Sequence, residues 1–406
     1  MNILLITVDY PPTVKSAARL FSELAEDLMQ HGHQVSVLTS IPDRNLADST
    51  VRKQKFYGRE TINGARVHRV SGLPIGRDIP IVRGLEQFIT AFVFFLIAVF
   101  IGRHHAVIVY SPPLPLGLTG YALARLWRSR VIINIQDLYP QTVVDLGLLK
   151  SRLLIGIATW MERFLYKHAD ALTVHSEGNR EYVIEKGAPV AKVKVVHNWV
   201  DLEEVSPGPL DNQWRRTNKL DGAFIVSFAG TMGFAQGLED ILEVAGLLKE
   251  HDEIVFVMAG DGIFRQRLQE QATESGLTNI KFVPTQPPEQ YVELLRASDV
   301  CLVPLSKDLK TPVVPGKLQS IMAAGRPAIC WADPASDARR MIEEADCGSF
   351  FPAGHHDDIT KAILELFHGN GLADIKGQNG RKYAEAHFSR HGSTDMYHDI
   401  ISEAYT

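Results

Sequence analysis

The 406-residue chain is short of the residue groupings that build the commonest reactive centres. It has three cysteines, Cys301, Cys330 and Cys347, all in or beside apolar strand-like runs. Three thiols cannot all pair and show no metal-ligand spacing. A disulfide framework is therefore excluded, and reduced core thiols in the cytoplasm are expected. No set of His, Asp and Glu has metal-ligand spacing either, so no metal site is expected. There is no Gly-x-Ser-x-Gly elbow, no Walker loop and no dinucleotide Gly-x-Gly-x-x-Gly. Those absences argue against serine hydrolases, P-loop nucleotidases and nicotinamide dehydrogenases, and leave no cofactor to expect. Residues 2–8 lack a basic leader and a small-residue cleavage site, so they read as a first strand and not as a signal peptide. Internal repeats and low-complexity segments are absent. The longest apolar run, residues 88–101, is shorter than the roughly 18 residues that a spanning helix needs.

What is present is the composition of a folded globular protein, 45% apolar and 22% charged, with length for two domains. The net charge of −5 hides an asymmetry. From Arg44 to Lys167 there are 17 Lys+Arg against 7 Asp+Glu, a net of +10, so the remainder carries −15. This argues against nucleic acid as a partner of the whole chain. It points instead to an anionic partner for one face of the first half, against the plainer reading of scattered solvated charge. The apolar run lies inside this basic region and is rich in phenylalanine. Two readings stay open: a helix buried in the first domain's core, or one lying in a membrane interface between Arg77, Arg83 and Arg103.

Strand-like and helix-like segments alternate almost throughout, the signature of parallel sheets covered on both faces by helices. The first-half strands are expected at Ile3–Val8, Gln34–Thr39, Ala65–Val70, Val107–Tyr110, Val131–Ile135, Ala171–Val174 and Val193–His197. Helical patterns cover Ser16–Gln30, with Ser16 as N-cap and Gly32 as stop, and Leu153–Lys167. A polar stretch from Glu203 to Asp221 reads as a linker. A second alternation follows at Phe224–Phe228, Ile254–Ala259, Ile280–Val283, Val300–Leu305, Ala328–Trp331 and Ser349–Phe351. The pattern predicts an α/β protein of two doubly wound, Rossmann-like domains, 1–200 and 201–380, with the cleft between them as the active site. A C-terminal helix, 381–406, is expected to pack back on the first domain.

Two anion-binding signals stand in the second half. Gly230-Thr231-Met232-Gly233 follows one strand and precedes a helical stretch from Gln236. Pro315-Gly316-Lys317-Leu318 opens another helix. Each places glycine where a helix begins, a natural seat for phosphate. Lys317 adds a point charge, and the pair suggests a diphosphate. Gln319 and Ser320, one turn on, suit the ribose hydroxyls of a nucleotide. In the first half, Asp9-Tyr10-Pro11-Pro12 leads to Arg19 near a helix start. Gln136-Asp137-Leu138-Tyr139-Pro140 offers a carboxylate, an amide and an aromatic ring to a sugar. Asn198 borders the linker, and His175 reads as a satisfied strand-end histidine. Asp261, in Gly260-Asp261-Gly262, reads as turn chemistry.

The ordered set of these runs resembles glycosyltransferase family 4. It comprises Tyr10-Pro11-Pro12 with Ala17-Ala18-Arg19-Leu20, His31-Gly32-His33-Gln34-Val35, Gln136-Asp137-Leu138-Tyr139-Pro140, and Asn198-Trp199-Val200-Asp201. It continues with Gly230-Thr231-Met232-Gly233 and Gln236-Gly237, Gly260-Asp261-Gly262, and Val314-Pro315-Gly316-Lys317-Leu318 with Met322-Ala323-Ala324-Gly325-Arg326-Pro327. The nearest branch is similar to the N-acetyl-L-fucosamine transferase-like enzymes of O-antigen and capsule synthesis. The resemblance implies the GT-B fold and metal-independent, retaining transfer from a nucleotide-sugar, UDP-linked, to a lipid-linked or glycan acceptor. It also implies a place on the inner face of the cytoplasmic membrane, in contact through 88–101. In this scheme Asp137 and Lys317 are catalytic. Gly230, Thr231, Gly233, Gln236, Gly316, Lys317, Leu318, Gln319 and Ser320 bind the donor, and Arg19, Gln136, Tyr139 and Asn198 the sugar or acceptor. Phe234 and Gln236 stand where many members have an arginine and a lysine, and Pro312 and Ser320 where many have paired glutamates. Two other readings are a sugar-nucleotide epimerase of the same fold and a non-catalytic subunit that binds a partner.

Overall fold

The structure, a computed structural model, describes residues 1–42, 56–71 and 80–403, with side chains from 84 onward in the last span. Arg77 lies outside the described residues, as does the side chain of Arg83. Contacts divide the chain into two compact units. The first holds 1–144, 149–198 and 390–406; the second holds 145–148 and 199–389.

The first unit is built on eight strands: β1 (Asn2–Ile6), β2 (Gln34–Ser40), β3 (Tyr57–Ile62), β4 (Ala65–Val70), β5 (Ala106–Ser111), β6 (Arg130–Ile135), β7 (Ala171–Val174) and β8 (Val193–Val195). Their order is β3-β4-β2-β1-β5-β6-β7-β8. All pair in parallel except β3, which runs antiparallel to β4. The second unit has β9 (Phe224–Ala229), β10 (Ile254–Ala259), β11 (Ile280–Val283), β12 (Val300–Pro304), β13 (Ala328–Ala332) and β14 (Gly348–Pro352), in the order β11-β10-β9-β12-β13-β14 and wholly parallel. Each is a doubly wound sheet whose order reverses once, beside β1 in the first and beside β9 in the second. Apolar runs such as Leu4–Ile6 and Phe256–Ala259 are buried because both faces of a parallel sheet are covered. Ligand sites in such sheets lie beyond the strand ends at the reversal. In the second unit that places them at the loops after β9 and β12.

Several expectations shift. β3 lies outside the expected strands. Ser16 is the first residue of the Ser16–Gln30 helix and not its cap; Lys15 takes that place, and its side chain makes no capping bond but pairs with Asp9 at 2.9 Å. The stretch expected as linker contains a helix, Gln213–Asn218, capped by Asn212 and anchored by buried Trp214 and Arg215. The terminal segment divides at Ser389. The Leu372–His387 helix sets Ala384 in the core of the second unit, with Phe388 beside it, so 381–387 belong there. The Arg390–Ser402 helix belongs to the first, held by Arg390 on Asp27 at 2.7 Å and by Tyr397, whose hydroxyl meets buried Asn134 and Thr173.

The apolar run is also longer than its sequence suggested. The helix spans Pro80–Ile101, and Gly84–Ile101 is long and apolar enough to cross a membrane by length and composition, which overturns the expectation that the run is too short. Its side chains divide by face. Ala91, Phe94 and Ala98, spaced i, i+3 and i+7, are buried in the first unit's core. Phe92 and Phe100 stand 62% and 87% exposed.

Candidate functional site

In the second unit the two turns flank the reversal point and are brought together. Lys317 is the second residue of the Gly316–Ala323 helix, whose N-cap is Pro315 and which no side chain caps. Its stem is half-buried, but its Nζ is buried and meets no acceptor among the described residues. It sits 4.1 Å above the Phe228 ring. A Cβ on Gly230 would stand 3.4 Å from that Nζ, so glycine lets the lysine close on the turn. Burial pushes the Lys317 amine down to about 7. An unpaired buried cation is costly, and the cost is removed by an anion that reaches it.

The amides of the Gly230–Gly233 turn are divided between structure and vacancy. Gly230 N–H donates to Ala259 O at 2.9 Å and Met232 N–H to Asp261 O at 2.8 Å. Those of Thr231 and Gly233 have no acceptor among the described residues. The expectation that the Gly230 amide serves a phosphate is thereby corrected: its part is the left-handed backbone, φ +154°, and the missing side chain. The Gly260–Gly262 loop acts as a brace beneath. A Cβ on Gly260 would fall 1.9 Å from Gly230 O, and one on Gly262 2.3 Å from Met232 O. Asp261 accepts from Gly262 N–H at 2.8 Å, which is the expected turn chemistry. Gln236, with its amide turned, donates to Thr231 O and Gly233 O and fastens the turn from the other side.

Of the remaining donor candidates, Gly316 is exposed at the helix start and Ser320 half-buried one turn on. Gln319 is buried. Leu318 is corrected: its side chain is core, packed with Ile321 and Met322, and its N–H donates to Pro315 O. It has neither side chain nor amide to give a ligand.

In the first unit, Gln136, Asp137 and Tyr139 follow β6. Gln136 and Asn198 bond reciprocally, Nε2 to Oδ1 at 2.9 Å and Nδ2 to Oε1 at 2.7 Å. The pair ties the end of β6 to the residue after His197 and occupies both amides. His175 bonds the Gln136 carbonyl through its Nε2 at 2.7 Å. Asp137 keeps an exposed surface although crowding by the surrounding chain raises its carboxyl pKa, with His175 pulling it back. That open surface makes it the group in the loop that a ligand can reach. Tyr139 packs on the core. Arg19 holds Glu23 Oε1 through its Nε at 2.7 Å, one helical turn on, and its side chain stays 40% exposed.

Sequence reasoning missed Phe228, the floor under Lys317. Its signal was the alternation of β9, which puts Val226 and Phe228 on one buried face.

Residues 17–199 match the glycosyl transferase 4-like domain, and residues 211–383 match the glycosyl transferases group 1 domain. The chain belongs to the glycosyltransferases of GT-B fold. Among relatives of this glycosyltransferase, a protein of Escherichia coli K12 named as a colanic acid biosynthesis glycosyl transferase, WcaI, is 26% identical, over 84% of this chain and 86% of its own. A Pseudomonas aeruginosa protein named as glycosyltransferase WbjE is 27% identical over 70% and 72%. Two solved structures share the fold. Sucrose-phosphate synthase from Thermosynechococcus elongatus has a TM-score of 0.80 at 17% identity, covering 100% of this chain and 99% of its own. Anabaena HepE in complex with UDP and glucose has 0.74 at 15%, covering 99% and 100%.

Proposed function

We propose that this glycosyltransferase moves a sugar, an N-acetylated or deoxy hexose, from a UDP-linked donor to a lipid-linked or glycan acceptor in bacterial surface polysaccharide synthesis, with retention at the anomeric carbon. The observation that carries the reading is Lys317: a buried, unpartnered amine beside a glycine turn with two unspent amides. A diphosphate supplies the missing charge, and Lys317 with the Thr231 and Gly233 N–H groups stabilises it as it departs. On this reading the charge support comes from the protein and needs no metal. The bond from the anomeric carbon to the phosphate oxygen breaks, and the acceptor oxygen bonds to that carbon from the same face. The hydroxyl proton passes to the departing phosphate. Asp137 positions the donor sugar, and Ser320 with Gln319 the ribose.

Support for the pathway comes from the printed names of the two relatives and from the resemblance to the N-acetyl-L-fucosamine transferase-like branch. Support for UDP comes from the HepE complexes. The exposed apolar face of the Pro80–Ile101 helix supports a cytoplasmic enzyme seated on the inner membrane face.

The test is calorimetric titration of UDP, GDP and their sugars, without metal, into the protein and into Lys317→Ala. Binding of UDP that the variant loses by tenfold or more supports the reading. Equal affinity for both proteins removes Lys317 from the donor site.

A further inference from the structure

Away from the loops already described, at the N-terminal ends of the first unit's strands, a cavity of about 610 Å³ gathers positive charge. Pleating explains how. Arg59 stands opposite His68 in the β3–β4 ladder, and Arg66 stands opposite Thr61 and Ser36, so Arg59, Arg66 and His68 share one face. Along that face the strand interiors are apolar, with Leu4, Ile6, Leu38 and Val70 packed in one core cluster with Ala91, Phe94 and Ala98 of the Pro80–Ile101 helix. Toward the strand starts the face turns polar and basic, and the end of that helix brings Ile97 and Phe100, with Arg103 just beyond it, to the same cavity.

The charges there are unanswered. Arg59, Arg66 and Arg103 make no ion pair among the described residues; the carboxylate of β3, Glu60, is on the opposite face, bound to Arg69. Arg66 has only a long contact with Gln34, at 3.5 Å. His68 is 5% exposed; its Nδ1 meets Tyr57 Oη at 2.7 Å, and its Nε2 has no hydrogen-bond partner among the described residues. Burial, with Arg59, Arg66 and His104 nearby, pushes His68 down to about 4, so it is a neutral hydrogen-bonding group at physiological pH. Phe100, 87% exposed at the rim, continues the apolar stripe through Val99, Leu96, Phe92 and Phe88.

We infer that this cavity binds the phosphate of an anionic lipid headgroup, whose acyl chains run along the exposed face of the Pro80–Ile101 helix. Three guanidinium groups with no carboxylate fit a phosphate. The commitment to lipid over a free phosphate rests on Ile97 and Phe100, apolar walls that a soluble anion does not use. The inference rests on the membrane seating proposed above but is separable from it. Seating by the apolar stripe alone needs no headgroup preference.

The experiment is sedimentation of the full chain with vesicles of phosphatidylcholine alone or enriched in phosphatidylglycerol. Four proteins are compared: wild type, Arg59→Gln/Arg66→Gln, Phe92→Ser/Phe100→Ser, and a remote charge control, Lys249→Gln/Lys361→Gln. Each basic residue near an anionic surface contributes roughly fivefold in binding, so the arginine pair should lower partitioning to the anionic vesicles by ~10-fold or more. The remote control should leave it unchanged, and unfolding temperatures should match. Glycerol phosphate should compete weakly. If the arginine pair partitions as wild type while the phenylalanine pair is released, the headgroup site is wrong and the membrane seating stands. Should no variant lose binding, both fall. Tight glycerol phosphate binding without vesicle binding would make the site one for a soluble anion and overturn the lipid assignment.

Discussion

Lys317 and Phe228 form a cation–ring pair at 4.1 Å, with the Gly230 turn beside it. The ring face attracts the ammonium, yet burial outweighs that attraction and depresses the amine to about 7. The pair therefore reads as a site held open for an anion.

The stability consequence has a definite sign. The unfolded lysine keeps its proton up to about pH 10.4, whereas the folded one gives it up near 7. Between those values the unfolded state binds more protons, so stability rises with pH. The burial cost is greatest below pH 7. Lys317→Met should therefore stabilise the ligand-free protein by ~1–2 kcal/mol at pH 6, with the gain vanishing above pH 10. Its stabilisation by UDP should disappear. Urea denaturation at the two pH values checks the first part; a variant less stable at pH 6 would show that the amine is better solvated than its contacts indicate.

Donor affinity should follow the same titration. A bound diphosphate holds Lys317 protonated, so binding above pH 7 takes up a proton. The UDP affinity should fall by up to tenfold per pH unit from pH 7 to 9, and Lys317→Ala should flatten the dependence. Calorimetry in buffers of different ionisation enthalpy reads the proton directly.

The brace under the turn should tolerate no side chain. Gly260→Ala puts a methyl 1.9 Å from Gly230 O, at a φ of +148° that L residues rarely adopt. Backbone must move to relieve it. A loss of ~2–4 kcal/mol is expected, with UDP affinity reduced more than in Gly316→Ala, where nothing lies within 4 Å. The comparison separates a crowded glycine from an open one; equal effects would mean that the turn is not set by the brace.

Much of the fold was legible, and the gaps have physical causes. Buried parallel strands such as Ile254–Ala259 are continuous apolar runs between turn residues, and they lie where the alternation put them. β3 reads Tyr57-Gly-Arg-Glu-Thr-Ile62, an edge strand with no apolar face, so periodicity could not find it. The Gln213–Asn218 helix was hidden because only Trp214 and Arg215 are buried in it. At the site, Gly230 and Gly233 were legible as a glycine turn after a strand, and Lys317 as a lysine at a helix start. The spent Gly230 amide and the seat of Lys317 over the Phe228 ring depend on tertiary placement, which no local pattern carries. The Arg19–Glu23 pair, by contrast, is a local i, i+4 contact within one helix.

The C-terminal helix should be a clasp of the first unit. Arg390 bonds Asp27 bidentately through Nε and Nη2, at 3.0 and 2.7 Å, and Glu26 at 2.8 Å; Asp27 is 2% exposed and also accepts from Thr394 at 2.8 Å. Removing the arginine leaves a buried carboxylate without its cation, a loss of ~2–4 kcal/mol. Arg390→Met should therefore lower the unfolding midpoint and raise hydrogen exchange across the Arg390–Ser402 helix and the facing Ser16–Gln30 helix. Asp27→Asn/Arg390→Met removes both charges and should recover part of the loss. If the double variant is no more stable than the single, hydrogen bonding and not charge holds the clasp. Exchange in β9 and β10 should stay unchanged in every variant, since their core is that of the other unit.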